Sequence, residues 1–265
     1  MYAFDYLRPA TLGDAANALK AQPSAKLLAG GQTLIPTLKL RLNRPGMVID
    51  LGAIGGLNAI ARRDDGLAIG AMATHADIAA SPVVASSIAG LAGVAEGIGD
   101  PQVRNRGTIG GSLANNDPAA DYPAAALALG ATLRTSKREL AAAEYFTGLF
   151  ATFDDDEILT EVQFPIPRRF GYAKFPNPAS RFALVGVAVA ATASGIRVAV
   201  TGAGANGVFR VPEMEDALSQ SFRPEALNAI RADPSLLMGD IHADADYRAH
   251  LIGVMARRAV QAALQ

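Results

Sequence analysis

Two short stretches hold the clearest chemistry in the chain: Ala29-Gly30-Gly31-Gln32-Thr33 and Thr108-Ile109-Gly110-Gly111-Ser112. In each, paired glycines stand within two residues of a hydroxyl. Adjacent glycines reach positive φ and let the backbone come close to a ligand, so successive N–H groups converge on anionic oxygens without a cationic side chain. The first stretch also leads into a predicted helix, whose leading N–H groups and dipole favour phosphate. Neither fits G-x-x-x-x-G-K-[ST] or G-x-G-x-x-G, which disfavours an ordinary P-loop nucleotidase or Rossmann dehydrogenase. One glycine pair is equally a tight turn. Two of them, the second inside a long aperiodic stretch, point to a diphosphate.

Absent residue types narrow the chemistry further. The 265 residues include no cysteine, which excludes disulfides, thiolate metal sites, iron–sulfur ligation and a thiol nucleophile in this polypeptide. The three histidines, His75, His242 and His250, show no metal-ligand spacing, so no metal site is expected. The run Asp154-Asp155-Asp156-Glu157 reads as a cation site or as a solvated turn. With 24 Lys and Arg against 25 Asp and Glu, the formal charge is -1, and nucleic acid is not an expected partner. The apolar stretches at Tyr122–Leu133 and Phe182–Ala193 fall short of the ~20 residues that cross a bilayer. With no basic, then apolar, N-terminal segment, a cytoplasmic protein is expected.

The elements that would position the turns follow from periodicity. Thr11 and Asp14 resemble a capping box opening a helix to Lys20. Strands at Lys26–Ala29 and Met47–Leu51, with a helix over Thr33–Arg41 between them, suit a small parallel α/β unit. A hairpin spans Asn58–Arg63 and Leu67–Met72 across Asp64-Asp65-Gly66. Ser81-Pro82 starts a helix to about Gly97. Gly99–Tyr122 is then the least periodic part of the chain, a length of loop that is usually functional. A short helix over Tyr122–Leu129 is followed by strands at Ala131–Thr135, Glu139–Ala143 and Glu157–Phe164. Beyond a break at Pro165–Pro167 come three antiparallel strands, Gly171–Phe175, Ala183–Ala193 and Ile196–Ala203. Helices at Pro212–Leu218, Pro224–Ala232 and Asp246–Leu264 close the chain.

Taken in order, Ala29–Leu34, Ile69-Gly70-Ala71-Met72-Ala73-Thr74-His75, the run from Asp100 to Ala114 and Asp117-Pro118-Ala119-Ala120-Asp121 resemble the FAD-binding medium subunit of molybdenum hydroxylases, the carbon monoxide dehydrogenase and xanthine dehydrogenase family. The resemblance extends to Gly171–Phe175, Ala183–Ala193 and the closing Asp246-Tyr247-Arg248 helix. It implies an α+β fold: a two-part, PCMH-type FAD-binding domain over 1–168, with a small α/β unit at about 1–55 and a larger α+β unit at 56–168. A C-terminal domain over 169–265, a three-stranded antiparallel sheet with helices, would follow.

The same resemblance implies non-covalent FAD between the first two units, held by Leu28, Ala29, Gly30, Gly31, Gln32, Thr33 and Leu34 on one side and by Thr108, Gly110, Gly111, Ser112 and Asn115 on the other. Ile98 and Leu159 would pack near the flavin. Asp121 would contact FAD, and Lys174 would stand near the ring system, its ammonium stabilising negative charge on the reduced flavin. Each has a plainer alternative: core packing for Ile98 and Leu159, an N-cap for Asp121, solvation for Lys174. Arg104 and Arg106 read as phosphate or subunit contacts, or as a solvated loop face. Asn115-Asn116-Asp117, where relatives often carry a histidine, departs from the pattern, as does the Phe175–Arg181 segment.

The implied partners are a small iron–sulfur subunit with 2Fe-2S clusters and a large molybdopterin subunit, in a dimer of heterotrimers. The missing cysteines fit that division, since the clusters must then lie on another chain. The implied role is an oxidoreductase subunit that passes electrons from the 2Fe-2S subunit to an external acceptor, with no catalytic acid, base or nucleophile of its own. A stand-alone flavin reductase, an FAD-free scaffold subunit and a diphosphate-binding protein with another ligand are the alternatives.

Overall fold

The computed structural model describes residues 1–64, 66–152 and 156–265. Three sheets organise the described residues. The first is parallel, with strands β1 (Asp5–Leu7), β2 (Lys26–Leu28) and β3 (Met47–Asp50) in the order β1-β3-β2. Helix Leu12–Ala21 starts where expected: the Asp14 N–H donates to the Thr11 hydroxyl over 3.1 Å. Its buried Ala15 and Leu19 pack with Ile49 and Leu51 as a separate small core. β1 leaves no trace in the hydrophobic pattern because all three of its residues are exposed.

The second sheet is antiparallel. Its strands β4 (Ile60–Arg63), β5 (Gly66–Gly70), β6 (Thr132–Thr135), β7 (Glu139–Ala141) and β8 (Leu159–Phe164) run in the order β4-β5-β8-β6-β7. The expected β4–β5 hairpin forms, with Asp65 of its turn outside the described residues. Asp154 and Asp155 of the acidic run also lie outside them, whereas Asp156 pairs with Lys137 and Glu157 with Arg138.

Several helices differ from expectation. The stretch from Ser81 divides at Ile88 into Pro82–Ser87 and Ala89–Glu96. Before it stands helix His75–Ala80, opened by a full capping box between Thr74 and Asp77. The aperiodic stretch holds two short helices, Pro101–Arg104 and Ile109–Asn115, capped by the Asp100 and Thr108 side chains. Pro224–Ala232 shortens to a 3-10 turn over Pro224–Leu227.

The C-terminal sheet has four strands, not three. β9 (Arg169–Pro176), β10 (Ala183–Thr192) and β11 (Gly195–Thr201) are joined at the edge by β12 (Phe209–Arg210), in the order β12-β11-β10-β9. A two-residue strand has no periodicity to read. Helices Pro212–Gln220 and Ala245–Ala263 supply most of the apolar cover for this sheet.

One helix joins the parts. All nine residues of Asp121–Leu129 are buried, as a helix apolar on every side requires. The chain entering it is fastened to the C-terminal sheet: the Thr201 hydroxyl donates to the carbonyls of Pro118 (2.9 Å) and Ala120 (2.7 Å), and the Gly202 N–H to Pro118 (2.7 Å). That sheet thereby fixes where Asp121 stands.

Candidate cofactor cleft

A cavity of about 960 Å³ opens where the two glycine turns meet. Such a volume is near the upper end of the roughly 300–1,000 Å³ usual for small-molecule and cofactor sites. All the expected site residues line it except Leu28 and Lys174. Leu28 ends β2 just before the turn, half-buried.

The turns touch directly. A Cβ on Gly30 would stand 2.0 Å from the Arg106 carbonyl oxygen, so only glycine lets the first turn lie against the backbone leading to the second. Gly31 has φ +75°, the left-handed region that glycine adopts without strain. The N–H groups of Gly30, Gly31, Gln32 and Thr33 donate to no acceptor among the described residues, and the Thr33 hydroxyl makes no capping bond. All four residues line the cavity, where unspent backbone donors suit anionic oxygens.

The second turn is built differently. Four of its five amides are spent among the described residues: Ile109 N–H donates to Ala73 (3.1 Å), Gly110 to Ala71 (2.9 Å), Gly111 to the Thr108 hydroxyl oxygen (3.0 Å) and Ser112 to Thr108 (3.0 Å). Unspent backbone donors are therefore concentrated at the first turn, with only the Thr108 N–H left at the second. From the second, the Thr108 N–H, the Ser112 hydroxyl and the Asn115 amide remain without protein partners among the described residues. Gly110 is glycine for packing, since a Cβ there would meet Ala71 Cβ at 2.5 Å.

Asp121 opens the buried helix, but its carboxylate is not the helix cap. It accepts from the Tyr172 hydroxyl at 2.5 Å and pairs with Lys174 Nζ at 3.0 Å. Burial pushes its carboxyl above the usual carboxylate range, against the pull of the Lys174 charge and the Tyr172 hydrogen bond. Lys174 is largely buried and does not line the cavity: Nζ pairs with Asp121, which does, and also donates to the Arg181 carbonyl at 3.0 Å. Ile98 and Leu159 join the main core and line the cavity at once. Arg104 does not line it; its guanidinium donates to the carbonyls of Ile98 and Gly99, both at 3.0 Å.

Several lining residues are missing from the sequence reading. Ser180–Phe182, from the β9–β10 connection, and Thr147–Thr152 complete the mouth. Asn116, in the left-handed conformation, holds the latter segment by donating to Gly148 (2.8 Å) and Ala151 (3.0 Å). His75 also lines the cavity. Thr74-x-x-Asp77 is a legible helix start that would have placed it at a helix N-terminus.

The fold is that of the FAD-binding medium subunits of molybdenum hydroxylases. Residues 2–167 match the FAD binding domain in molybdopterin dehydrogenase, and residues 170–263 match the CO dehydrogenase flavoprotein C-terminal domain. The chain belongs to this family. It is 37% identical to the nicotine 6-hydroxylase medium subunit of Paenarthrobacter nicotinovorans, over 97% of this chain and 96% of that one. To the carbon monoxide dehydrogenase medium chain of Hydrogenophaga pseudoflava it is 34% identical, over 98% and 96%. Among solved structures, reconstituted CO dehydrogenase from Oligotropha carboxidovorans superposes with a TM-score of 0.91 at 32% identity, covering 99% of this chain and 98% of that one. The protein is thus an oxidoreductase subunit with an FAD-binding domain. No helix among the described residues is long and apolar enough to cross a membrane.

Proposed function

We propose that the cavity between the two glycine turns holds FAD and that the chain is the electron-transfer subunit of a molybdopterin hydroxylase complex. It would receive electrons from a 2Fe-2S subunit and deliver them to an external acceptor. The observation that carries this is the pairing of four unspent N–H groups at Gly30–Thr33 with a cavity of cofactor size in a chain of this family. FAD, when bound, supplies the two-electron and one-electron chemistry. The residues supply the rest. Gly30–Thr33 hold diphosphate oxygens through backbone donors, with Ser112 and Asn115 adding side-chain donors opposite. Ile98 and Leu159 present an apolar wall that excludes water from a planar ring. Asp121 faces the cavity as a carboxyl whose protonation is set by burial, Lys174 and Tyr172.

The division of the chain into 1–168, with parts at about 1–55 and 56–168, and 169–265 belongs to the same proposal. It is supported by the separate small core around Ile49 and by the ranges of the two family matches. The partners, a 2Fe-2S small subunit and a molybdopterin large subunit in a dimer of heterotrimers, would lie in the cytoplasm. Isolation from the native source tests this. Recovery with a cysteine-rich small chain and a large molybdopterin chain is expected; a chain that turns over steadily with NADH alone would contradict it in favour of a stand-alone reductase.

A further inference from the structure

The imidazole of His75 makes no hydrogen bond among the described residues. Its residue is 4% exposed, Nδ1 is sealed from solvent without a partner, and Nε2 has none among the described residues. The backbone fixes the ring: the His75 N–H donates to the Gly107 carbonyl at 2.9 Å, in a bridge that pairs Thr74 with Thr108. The ring edge bearing Nε2 lies against Gly107, the residue just before the second glycine turn, since a Cβ there would lie 2.6 Å from Nε2 and 2.8 Å from Cδ2. Gly107 is therefore the space that the imidazole uses. On the ring's other side stands Tyr122, with centroids 5.4 Å apart and its own hydroxyl buried and unpartnered.

A neutral imidazole has one N–H, and with Nδ1 sealed and without a partner the proton belongs on Nε2, the nitrogen that is not sealed, on a ring that lines the cavity. The second turn has meanwhile spent its amides from Ile109 to Ser112 internally and is short of donors. We propose that His75 is a cofactor-binding residue, whose Nε2–H donates to a diphosphate oxygen of the dinucleotide held at the second turn. This rests on the proposed placement of FAD in the cavity. The ring acts as a neutral donor: burial, followed by the neighbouring Arg104 charge, lowers its pKa to about 4. It thus takes the place that a backbone N–H holds at the first turn.

The test is binding of FAD, ADP and riboflavin to the full chain freed of cofactor, followed by flavin fluorescence or by ADP competition with FAD. His75→Leu is compared with His75→Gln, whose amide nitrogen reaches near the position of Nε2, and both are checked by circular dichroism. Loss of a hydrogen bond to a charged group corresponds to on the order of 10- to 100-fold. FAD and ADP are expected to weaken by that factor in His75→Leu and by only a few-fold in His75→Gln, with riboflavin unchanged. Equal FAD affinity in wild type and a folded His75→Leu would overturn the role. So would a loss shared by riboflavin, which has no diphosphate, or His75→Gln binding as weakly as His75→Leu. A wild-type chain that binds neither FAD nor ADP would instead overturn the placement of FAD in the cavity.

Discussion

Replacing Lys174 by methionine would leave the Asp121 carboxyl buried beside the Tyr172 hydroxyl with its opposing charge gone. Breaking a buried pair from one side costs about 3 kcal/mol or more while the remaining group stays charged. Asp121, already raised by burial, would rise further without the ammonium, so the penalty should be largest near pH 8 and shrink as acid protonates the carboxyl. Urea unfolding of Lys174→Met and wild type at pH 8 and pH 5 checks this; a penalty that does not vary with pH would contradict it. His75 gives the opposite sign. Its folded pKa of about 4 lies below the ordinary 6.5, so the unfolded chain binds more protons between those values and stability should rise with pH across that window. The contribution is at most roughly 3 kcal/mol. His75→Gln should flatten that part of the profile of melting temperature against pH, and an unchanged slope would show that the ring is not the group responsible.

The two glycine turns look alike in sequence and differ as elements. Gly30 is needed where two backbones touch, 2.0 Å from the Arg106 oxygen, whereas a Cβ on Gly111 would meet the Thr108 hydroxyl oxygen at 2.9 Å and then Ala29 Cβ at 3.5 Å. Gly30→Ala should therefore part the turns and weaken FAD binding by more than ten-fold, and Gly111→Ala by distinctly less. Titrating both variants with FAD checks this order, and the reverse order would contradict it. The turns were legible because glycine pairs beside hydroxyls announce themselves, and so were the long strands and the capped first helix. What stayed hidden depends on three-dimensional bookkeeping of donors: no spacing reveals that Gly110 and Gly111 spend their N–H groups on Ala71 and Thr108. His75 stands thirty-two residues before Gly107 and meets it only through the Thr74–Thr108 bridge. Lys174 reads as a strand lysine, and only the fold pairs it with Asp121, which lines the cavity.

At the scale of the molecule, the C-terminal sheet supports the candidate cleft through Asp121. It contributes Tyr172 and Lys174 from β9 and, through Thr201 and Gly202, pins the chain that presents Asp121. Thr201→Val, which removes the hydroxyl donating to two carbonyls while keeping the shape, should loosen this attachment and lower the cofactor's retention more than Ala193→Ser in the exposed β10–β11 turn at the opposite end of β11. Comparing how fast FAD is released from the two variants by dilution checks this; equal rates would separate the sheet from the site. The chain's balanced charge and lack of cysteine take on a specific meaning in this arrangement. Neutrality leaves the diphosphate to backbone and side-chain donors, and the clusters of the complex must be carried by another chain. Whether the cavity between the glycine turns binds FAD is read from the visible absorption spectrum of the purified full chain after incubation with FAD and removal of the excess. A retained flavin spectrum at about one FAD per chain, lost in Gly30→Ala, is the expected result; a colourless wild-type chain would contradict it.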